Sequence, residues 1–315
     1  MTYTATDPDI VRPFQIEESG LRGRLVRLGP VMTDILTRHD YPTAVARTLA
    51  EAMVLGTLMA SALKYDGVFT LQTKGDGPLR FLVVDITTNG DIRAYARVTD
   101  DAGPVDDAIG FRELVGDGYV AFTVDQGTHT QRYQGIVELQ GNSLTECLLH
   151  YFRQSDQLDA AFKIAVIGPD IGADQGWRGG GVMLQRLPEA ERQVVSSDRE
   201  DDWRRAMILL DSASDSELAN PTISVDTVLL RLFHEDGVRV YDAQTLKRGC
   251  RCSREKTAGV LSQFTTEQLE EYKIDGDVII TCEYCNIDFR FDDAALSSFQ
   301  AKLTAVAQAR DSEAC

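Results

Sequence analysis

The sequence predicts an α+β chain in three parts: an N-terminal domain of antiparallel strands with packed helices (1–187), an amphipathic helical linker (188–245) and a small C-terminal domain carrying four cysteines (246–315). Three observations carry this. Short strand-like runs joined by turn signals crowd the first part, which argues α+β and not a doubly wound sheet. From Pro188 to Asp202 the composition turns abruptly acidic and helical in type, with Glu189, Glu191, Asp198, Glu200, Asp201 and Asp202. The last part is poor in large apolar residues, and small domains of that kind need a staple.

Asp40-Tyr41-Pro42 places a proline at an expected first helical position. Thr43 to Lys64 then runs rich in Ala, Leu and Met, with Arg47 and Glu51 its only charges before Lys64, as in a helix enclosed on most sides. Strands are expected at Val68 to Lys74 and Leu79 to Ile86, split by Gly75-Asp76-Gly77-Pro78. Asn89-Gly90 is a tight-hairpin pair leading into Asp91 to Val98. Further strands are expected at Tyr119 to Asp125, Gln131 to Gln140, Phe162 to Ile167 and Val182 to Leu187. Ser143-Leu144-Thr145-Glu146 reads as a capping box opening a helix whose apolar face carries Leu144, Cys147, Leu148 and Tyr151.

In the linker, Trp203, Met207, Leu209 and Leu210 form one apolar set. Val225, Val228, Leu229, Leu232 and Phe233 form a second, ended by Gly237 in helix-stop position. Plain helical domain structure would show the same periodicity. Beyond it, Val238 to Tyr241 is a short strand, Thr265 to Gln268 a capping box and Val278 to Phe291 a β-knuckle. Asp292-Asp293 caps a last helix running to about Ala309.

Composition excludes several classes. The 315 residues are 43% hydrophobic and 26% charged, enough for a sizeable core. With 49 acidic against 32 basic residues the net charge is -17, which repels phosphate backbones and anionic lipid. The longest uncharged apolar run, Ala52 to Leu63, has twelve residues, short of the ~20 a bilayer needs. Met1 to Ile10 carries Asp7 and Asp9 and has no signal-peptide pattern. The expectation is a cytoplasmic chain with no nucleic-acid or membrane partner, in which structural disulfides are rare.

Cys250-Arg251-Cys252 and Cys282-Glu283-Tyr284-Cys285 gather four of the six cysteines into two close pairs with 29 residues between them. Four thiolates brought together tetrahedrally make a structural Zn²⁺ site. Two independent redox pairs, four unrelated buried thiols and an iron–sulfur cluster are the alternatives, and the common cluster spacings differ from these. The first pair has one intervening residue where ordinary knuckles have two, so a disulfide across it departs from relaxed geometry and is easily reduced. Lys247, Arg248, Arg251 and Arg254 surround it with positive charge, which favours thiolate and peroxide reactivity. Structural zinc contributes roughly 10–16 kcal/mol to small modules, against about 5–15 kcal/mol for a whole domain. Oxidising the ligands would therefore unfold the C-terminal unit.

Other chemistry is sparse. Cys147 sits on an apolar helix face as a core thiol, and Cys315 is terminal and no prenylation signal. His39, His129, His150 and His234 form no metal-spaced pair. No Walker A pattern occurs, and Gly179-Gly180-Gly181 lacks dinucleotide spacing, marking a turn or a close backbone approach. Nothing resembles a nucleophile with its base, so the chain is not expected to be an enzyme.

With the cysteine motif Cys250-Arg251-Cys252-Ser253-Arg254-Glu255 and Cys282-Glu283-Tyr284-Cys285, the sequence resembles the redox-regulated heat-shock chaperones called 33 kDa chaperonins. The likeness extends through Asp40-Tyr41-Pro42, Gly75-Asp76-Gly77-Pro78, the segment 93–98, Arg132-Tyr133-Gln134-Gly135, the segment 151–157, the segment 180–185 and Arg231-Leu232-Phe233-His234-Glu235, over about residues 15 to 300. The resemblance implies an ATP-independent holdase, inactive when reduced and zinc-bound. It implies Cys250, Cys252, Cys282 and Cys285 as zinc ligands and redox sensors, with disulfides Cys250–Cys252 and Cys282–Cys285 in the oxidised form. Zinc release and unfolding of the C-terminal domain and linker then expose apolar surface that binds unfolding client proteins, as a homodimer. Asn286 stands where relatives often have glycine, a place where Asn also tolerates left-handed backbone. Because the early linker is acidic, amphipathicity assigns client contact to Trp203, Met207, Leu210, Val228, Leu229, Leu232 and Phe233. Two rivals stand beside this reading: a thiol–disulfide oxidoreductase using Cys250-Cys252, and a zinc-ribbon module binding nucleic acid through Arg248 to Lys256.

Overall fold

In a computed structural model, residues 9–99, 103–127, 133–154, 159–169, 176–186, 199–261 and 263–298 are described. The chain forms two compact units, Met1–Gly249 and Cys250–Cys315.

The first unit opens with β1 (Asp9–Ile16), β2 (Arg22–Leu28), α1 (Pro30–Leu36) and α2 (Thr43–Ala62). There follow β3 (Val68–Gly75), β4 (Leu79–Thr87), β5 (Asp91–Val98), α3 (Phe111–Val115), β6 (Gly118–Asp125) and β7 (Tyr133–Glu138). Then come α4 (Leu144–Gln154), β8 (Ala160–Ile167) and β9 (Arg178–Gln185). The unit closes with α5 (Arg199–Asp211), α6 (Asp215–Ala219), α7 (Val225–Phe233) and three short strands, β10 (Val238–Val240), β11 (Gln244–Thr245) and β12 (Lys247–Arg248). One sheet has the order β10-β1-β2-β9-β8 with β11 also on β1; the other runs β12-β5-β4-β3-β6-β7. Every pairing is antiparallel except β12 on β5.

Helix α2 is the hub, buried on nearly every side from Ala44 to Ala60 and packed against both sheets. It is long and apolar enough to cross a bilayer, yet 83% of its 18-residue window is buried inside the protein, as expected for a core helix. Its alanines give it no strongly polar face to turn outward. The first sheet is covered on both sides. Along β2, Val26 and Leu28 join the α2 core, while Leu25 joins a second core formed with α5, α6 and α7. On β9, a Cβ on Gly179 or Gly181 would stand 2.7–2.9 Å from Met32 or Val54 side chains, and one on Gly180 would stand 2.0 Å from the Leu218 carbonyl oxygen. The glycine run is therefore a strand that lets helices approach both faces closely, and not a turn.

Several boundaries differ from the sequence reading. Pro42 is the N-cap of α2, one position before the helix proper. β9 starts at Arg178, upstream of the expected Val182, because the glycines pair in register with Leu28, Arg27 and Val26. At α4 the Ser143 hydroxyl accepts from Glu146 N (3.1 Å), but the Glu146 carboxylate accepts from Asn142 N (2.8 Å), one residue before the expected capping-box partner. Gly237 has φ 68° but lies beyond the His234 C-cap of α7, in the turn into β10. Residues 131–132, 187–198 and 299–309, and with them parts of three expected elements, lie outside the described residues.

The second unit comprises α8 (Arg254–Leu261), α9 (Thr266–Glu270), β13 (Lys273–Ile274), β14 (Asp277–Thr281), β15 (Asp288–Phe291) and a helical run over 293–298. Its sheet has the order β13-β14-β15. Thr265 and Gln268 form the expected capping box.

Candidate metal centre

The second unit has a core of six buried side chains among the described residues: Ala258, Leu261, Leu269, Val278, Phe291 and Leu296. That is little for an independent fold. The cysteines lie in two connecting segments. Cys252 stands two residues before α8, whose entry is fixed by Ser253: its Oγ accepts from Lys256 N (3.2 Å) and its carbonyl from Thr257 N (3.0 Å). Cys282 and Cys285 occupy the turn between β14 and β15, where Cys282 N donates to Ile287 O (3.0 Å) and Asn286 N to Cys282 O (2.8 Å). Asn286 has φ 52°, the left-handed conformation that Asn or Gly supplies at least cost.

These segments bring all four sulfurs together. Cys250 Sγ lies 3.7 Å from Cys282 Sγ, Cys252 Sγ lies 3.4 Å from Cys285 Sγ, and all four are within 4.8 Å of one another. A tetrahedral ion with Zn–S bonds of about 2.3 Å separates its sulfurs by about 3.8 Å. The thiols thus already stand at ligand spacing, Cys285 buried and the others half-buried.

Their protonation is shared. Burial pushes the Cys250 thiol up, but hydrogen bonds from the Cys252 backbone N–H and from the other three thiols outweigh it and bring Cys250 down to about 7. Cys252 is pushed well above the ordinary thiol value by burial and by donating its proton toward Cys250; burial likewise raises Cys285. One thiolate near neutrality is tolerated, and each further negative charge costs more. A divalent cation supplies the charge that lets all four ionise, so donor set, spacing and charge fit Zn²⁺.

The basic residues flanking the first pair are only partly directed at it. Lys247 pairs with Asp91 (3.5 Å) and Arg248 with Asp34, both within the first unit. The Lys256 ammonium donates to Arg251 O (2.9 Å), and the Arg254 guanidinium lies 4.4 Å above the Phe291 ring centroid. The expected surround of positive charge is thus largely spent on carboxylates, a carbonyl and an aromatic face.

The residues assigned to client contact cluster on the first unit. Leu210, Val228, Leu229, Leu232 and Phe233 are buried against β1, β2, β8 and β9, with Trp203 and Met207 packed on their edge. Two residues that hold this cluster were missed in the sequence. Phe14 stacks on Phe233 at 5.7 Å. Arg27, 2% exposed, donates from its guanidinium to Leu218 O (3.1 Å), Glu217 O (2.9 Å) and Ile223 O. Arg27 lies on the opposite face of β2 from Arg22 and Arg24, and no sequence signal singles it out as buried. Cys147 is buried as expected, its thiol pushed up to about 11 by burial and by Glu146 and Glu51. His234 caps α7, and Cys315 and His129 lie outside the described residues.

The family model described as Hsp33 protein matches residues 9–292. The 33 kDa chaperonin of Caulobacter vibrioides is 39% identical over 289 residues, covering 90% of this chain and 95% of that one. That of Pseudomonas fluorescens is 34% identical over 297 residues, covering 94% of each. Among solved structures, the 33 kDa chaperonin (heat shock protein 33 homolog) of Thermotoga maritima superposes with a TM-score of 0.75 at 22% identity, covering 94% of this chain and 99% of that one. The arrangement of both sheets around α2 is thus a fold already seen.

Proposed function

The chain belongs to the Hsp33 protein family and is a heat-shock chaperone, and from that premise we propose that it is a redox-regulated, ATP-independent holdase of the cytoplasm. The observation that carries the reading is the four-thiol cluster at ligand spacing in a unit with six buried core side chains among its described residues. When bound there, Zn²⁺ would join the four thiolates into one cross-link and supply most of the unit's stability.

Cys250, Cys252, Cys282 and Cys285 are the ligands and the sensors. The Cys250 thiolate attacks a peroxide oxygen, giving a sulfenic acid and releasing hydroxide. The Cys252 thiolate then displaces a second hydroxide and closes the disulfide, so two electrons pass from the pair to the peroxide. Cys282 and Cys285 react with a second peroxide in the same way. Pairing within each close pair is favoured because those partners stay adjacent once the unit opens, whereas Cys250 and Cys282 meet only while it is folded. Disulfide sulfurs are poor ligands, so the oxidised unit loses its metal and its fold.

Residues 188–245 act as the linker that is then released. Trp203, Met207, Leu210, Val228, Leu229, Leu232 and Phe233 leave the sheet, and both uncovered faces hold unfolding clients, with the oxidised protein a homodimer. The test is light scattering from a heat-unfolding client without ATP, comparing reduced zinc-loaded protein with peroxide-treated protein and recording released zinc. Suppression only after oxidation, in step with zinc loss, supports the switch. Zinc loss without suppression removes the holdase and leaves a thiol–disulfide oxidoreductase to assay.

A further inference from the structure

The segment 238–249 covers one edge of each sheet of the first unit, β1 in one and β5 in the other, while β8 and β7 end the sheets on their other sides. β10 and β11 pair with β1, in the registers Phe14↔Val240, Gln15↔Arg239, Ile16↔Val238, Ile10↔Thr245 and Val11↔Gln244. After one intervening residue, Leu246, β12 pairs with β5, Lys247 opposite Asp91 and Arg248 opposite Ile92. Among the described residues, no other strand lies on these two edges. Beyond β12, Ala96 N of β5 donates to the Tyr41 hydroxyl (3.1 Å), so a side chain takes one further amide of that strand.

The strap is held by backbone hydrogen bonds together with polar side chains: Arg12 Nη1 donates to Tyr241 O (2.9 Å), the Tyr241 hydroxyl to Gln15 Oε1 (3.0 Å) and Gln244 Nε2 to Thr88 O (2.8 Å), and Arg239 pairs with Glu17. Tyr241 N donates to Pro13 O (3.0 Å), Leu246 N to Asp9 O (2.8 Å), Lys247 N to Gly90 O (3.0 Å) and Gly249 N to Ile92 O (2.9 Å), while Glu17 N donates to Gly237 O (2.8 Å). Its side chains contribute little burial: from Arg239 to Thr245 every residue is exposed, and Leu246 alone is buried. Leu246 enters the core beside a cavity of about 140 Å³ lined by Val11, Thr57, Tyr65 and Ile86. Pro13, the β1 residue with no N–H to offer, faces the strap where β10 gives way to β11.

We propose that β1 and β5 are client-binding edges, which accept extended segments of unfolded polypeptide by strand addition once the strap leaves, with an apolar client side chain taking the Leu246 site. This rests on the holdase reading and names how clients are recognised. The present occupant defines the chemistry of the next one: an extended stretch of mixed polar sequence, docked by main-chain hydrogen bonds and one apolar anchor, is what any unfolded chain can offer. Opening is tied to the sensor by sequence, since Gly249, the last residue bonded to β5, directly precedes Cys250. A sheet edge left open is an aggregation template, and the strap keeps β1 and β5 covered until they are needed.

The experiment uses the full-length oxidised protein, a heat-unfolding client, and two synthetic peptides of alternating apolar and polar residues, one N-methylated on every second amide. Suppression of client aggregation by the oxidised protein is measured first; its absence would sink the holdase reading and the edge assignment with it. Given suppression, the amides of Val11, Gln15 and Glu17 are expected to exchange slowly in the reduced protein, fast after oxidation, and slowly again with client bound. The unmodified peptide is expected to compete with client at least about tenfold better than its N-methylated twin, because methylation removes donors and leaves the side chains intact. Suppression with those amides still fast in the client complex, or equal competition by both peptides, overturns the edge assignment and leaves the holdase standing. Protection that instead rises with protein concentration in the absence of client overturns it too, by assigning the edges to strand exchange between copies.

Discussion

Phe14 and Phe233 stack with ring centroids 5.7 Å apart and planes inclined by 23°, both rings fully buried. Phe14 comes from β1, where its ring covers Gly23 on β2, and Phe233 from the last turn of α7. The pair joins the N-terminal sheet to the helices assigned to the linker. Phe233→Ala removes one ring from a closed core, a change costing about 3–5 kcal/mol. In the reduced protein the variant is expected to speed hydrogen exchange in α5, α6 and α7 and to hold clients without oxidation. Unchanged exchange in those helices would count against the stack as their anchor.

Arg27 makes the second attachment. Its guanidinium donates to the Glu217, Leu218 and Ile223 carbonyls, two of them at the end of α6, where a cation also suits the helix dipole. Arg27→Met keeps most of the volume and leaves three carbonyls without this donor, for an expected loss of roughly 3 kcal/mol. Denaturant midpoints of the reduced proteins check it. Arg27→Lys, with a charge but no planar fork, should fall between the two.

Gly180 permits the approach itself. A Cβ there would lie 2.0 Å from Leu218 O, a backbone atom that cannot swing aside, whereas one on Gly181 meets the Val54 side chain at 2.9 Å. Gly180→Ala is therefore expected to lift α6 from the sheet at a cost of about 1–3 kcal/mol. Gly181→Ala should disturb the α2 side instead. Proteolysis in α5–α7 should rise in the first variant and not in the second.

The parts of this fold that local chemistry dictates were legible in the sequence. Asn89-Gly90 closes the β4–β5 hairpin with Gly90 at φ 80°, and Cys282 and Cys285 lie in a five-residue turn closed by Asn286 N on Cys282 O, with Asn286 at φ 52°. What distant contacts decide was not. β1 and β2 carry Pro13, Gly23 and four arginines, a composition without strand periodicity, and their pairing is stabilised by helices more than 150 residues away along the chain. Gly179-Gly180-Gly181 has no intrinsic strand preference and is extended only because two helices need the room. The cysteine site was readable because ligand chemistry fixes spacing, while Arg27 was not, because nothing local distinguishes a buried arginine from a solvated one.

Asp9 links the first sheet to pH. Its carboxylate accepts from Gly29 N (2.8 Å) and Val31 N (3.2 Å) at the start of α1, but burial outweighs those bonds and raises it from 3.8 to about 6. The folded value is above the unfolded one, so the protonated form is favoured in the native state. Its contribution is fully present below about pH 4 and lost as pH rises through about 6. Asp9→Asn keeps an acceptor oxygen without the titration. The difference in stability between wild type and variant is expected to shift by roughly 1–2 kcal/mol from pH 4 to 7, with wild type losing ground as pH rises. A difference independent of pH would remove Asp9 from the account.

Metal removal should separate the two units. Among the described residues the first has two extensive cores, the second a core of six buried side chains and the thiol cluster. If the metal supplies most of the second unit's stability, a strong chelator under reducing conditions should unfold residues 250–298 without any disulfide forming. Their amides should then exchange at unfolded rates, while the α2 amides remain protected. Cys285→Ser should do the same without chelator, because three thiolates and a hydroxyl bind zinc far less tightly than four thiolates. Adding zinc back should restore protection in the wild type and not in the variant. Protection of 250–298 that survives chelation would show that the small core is sufficient, and the thiols would then have to act without controlling the fold.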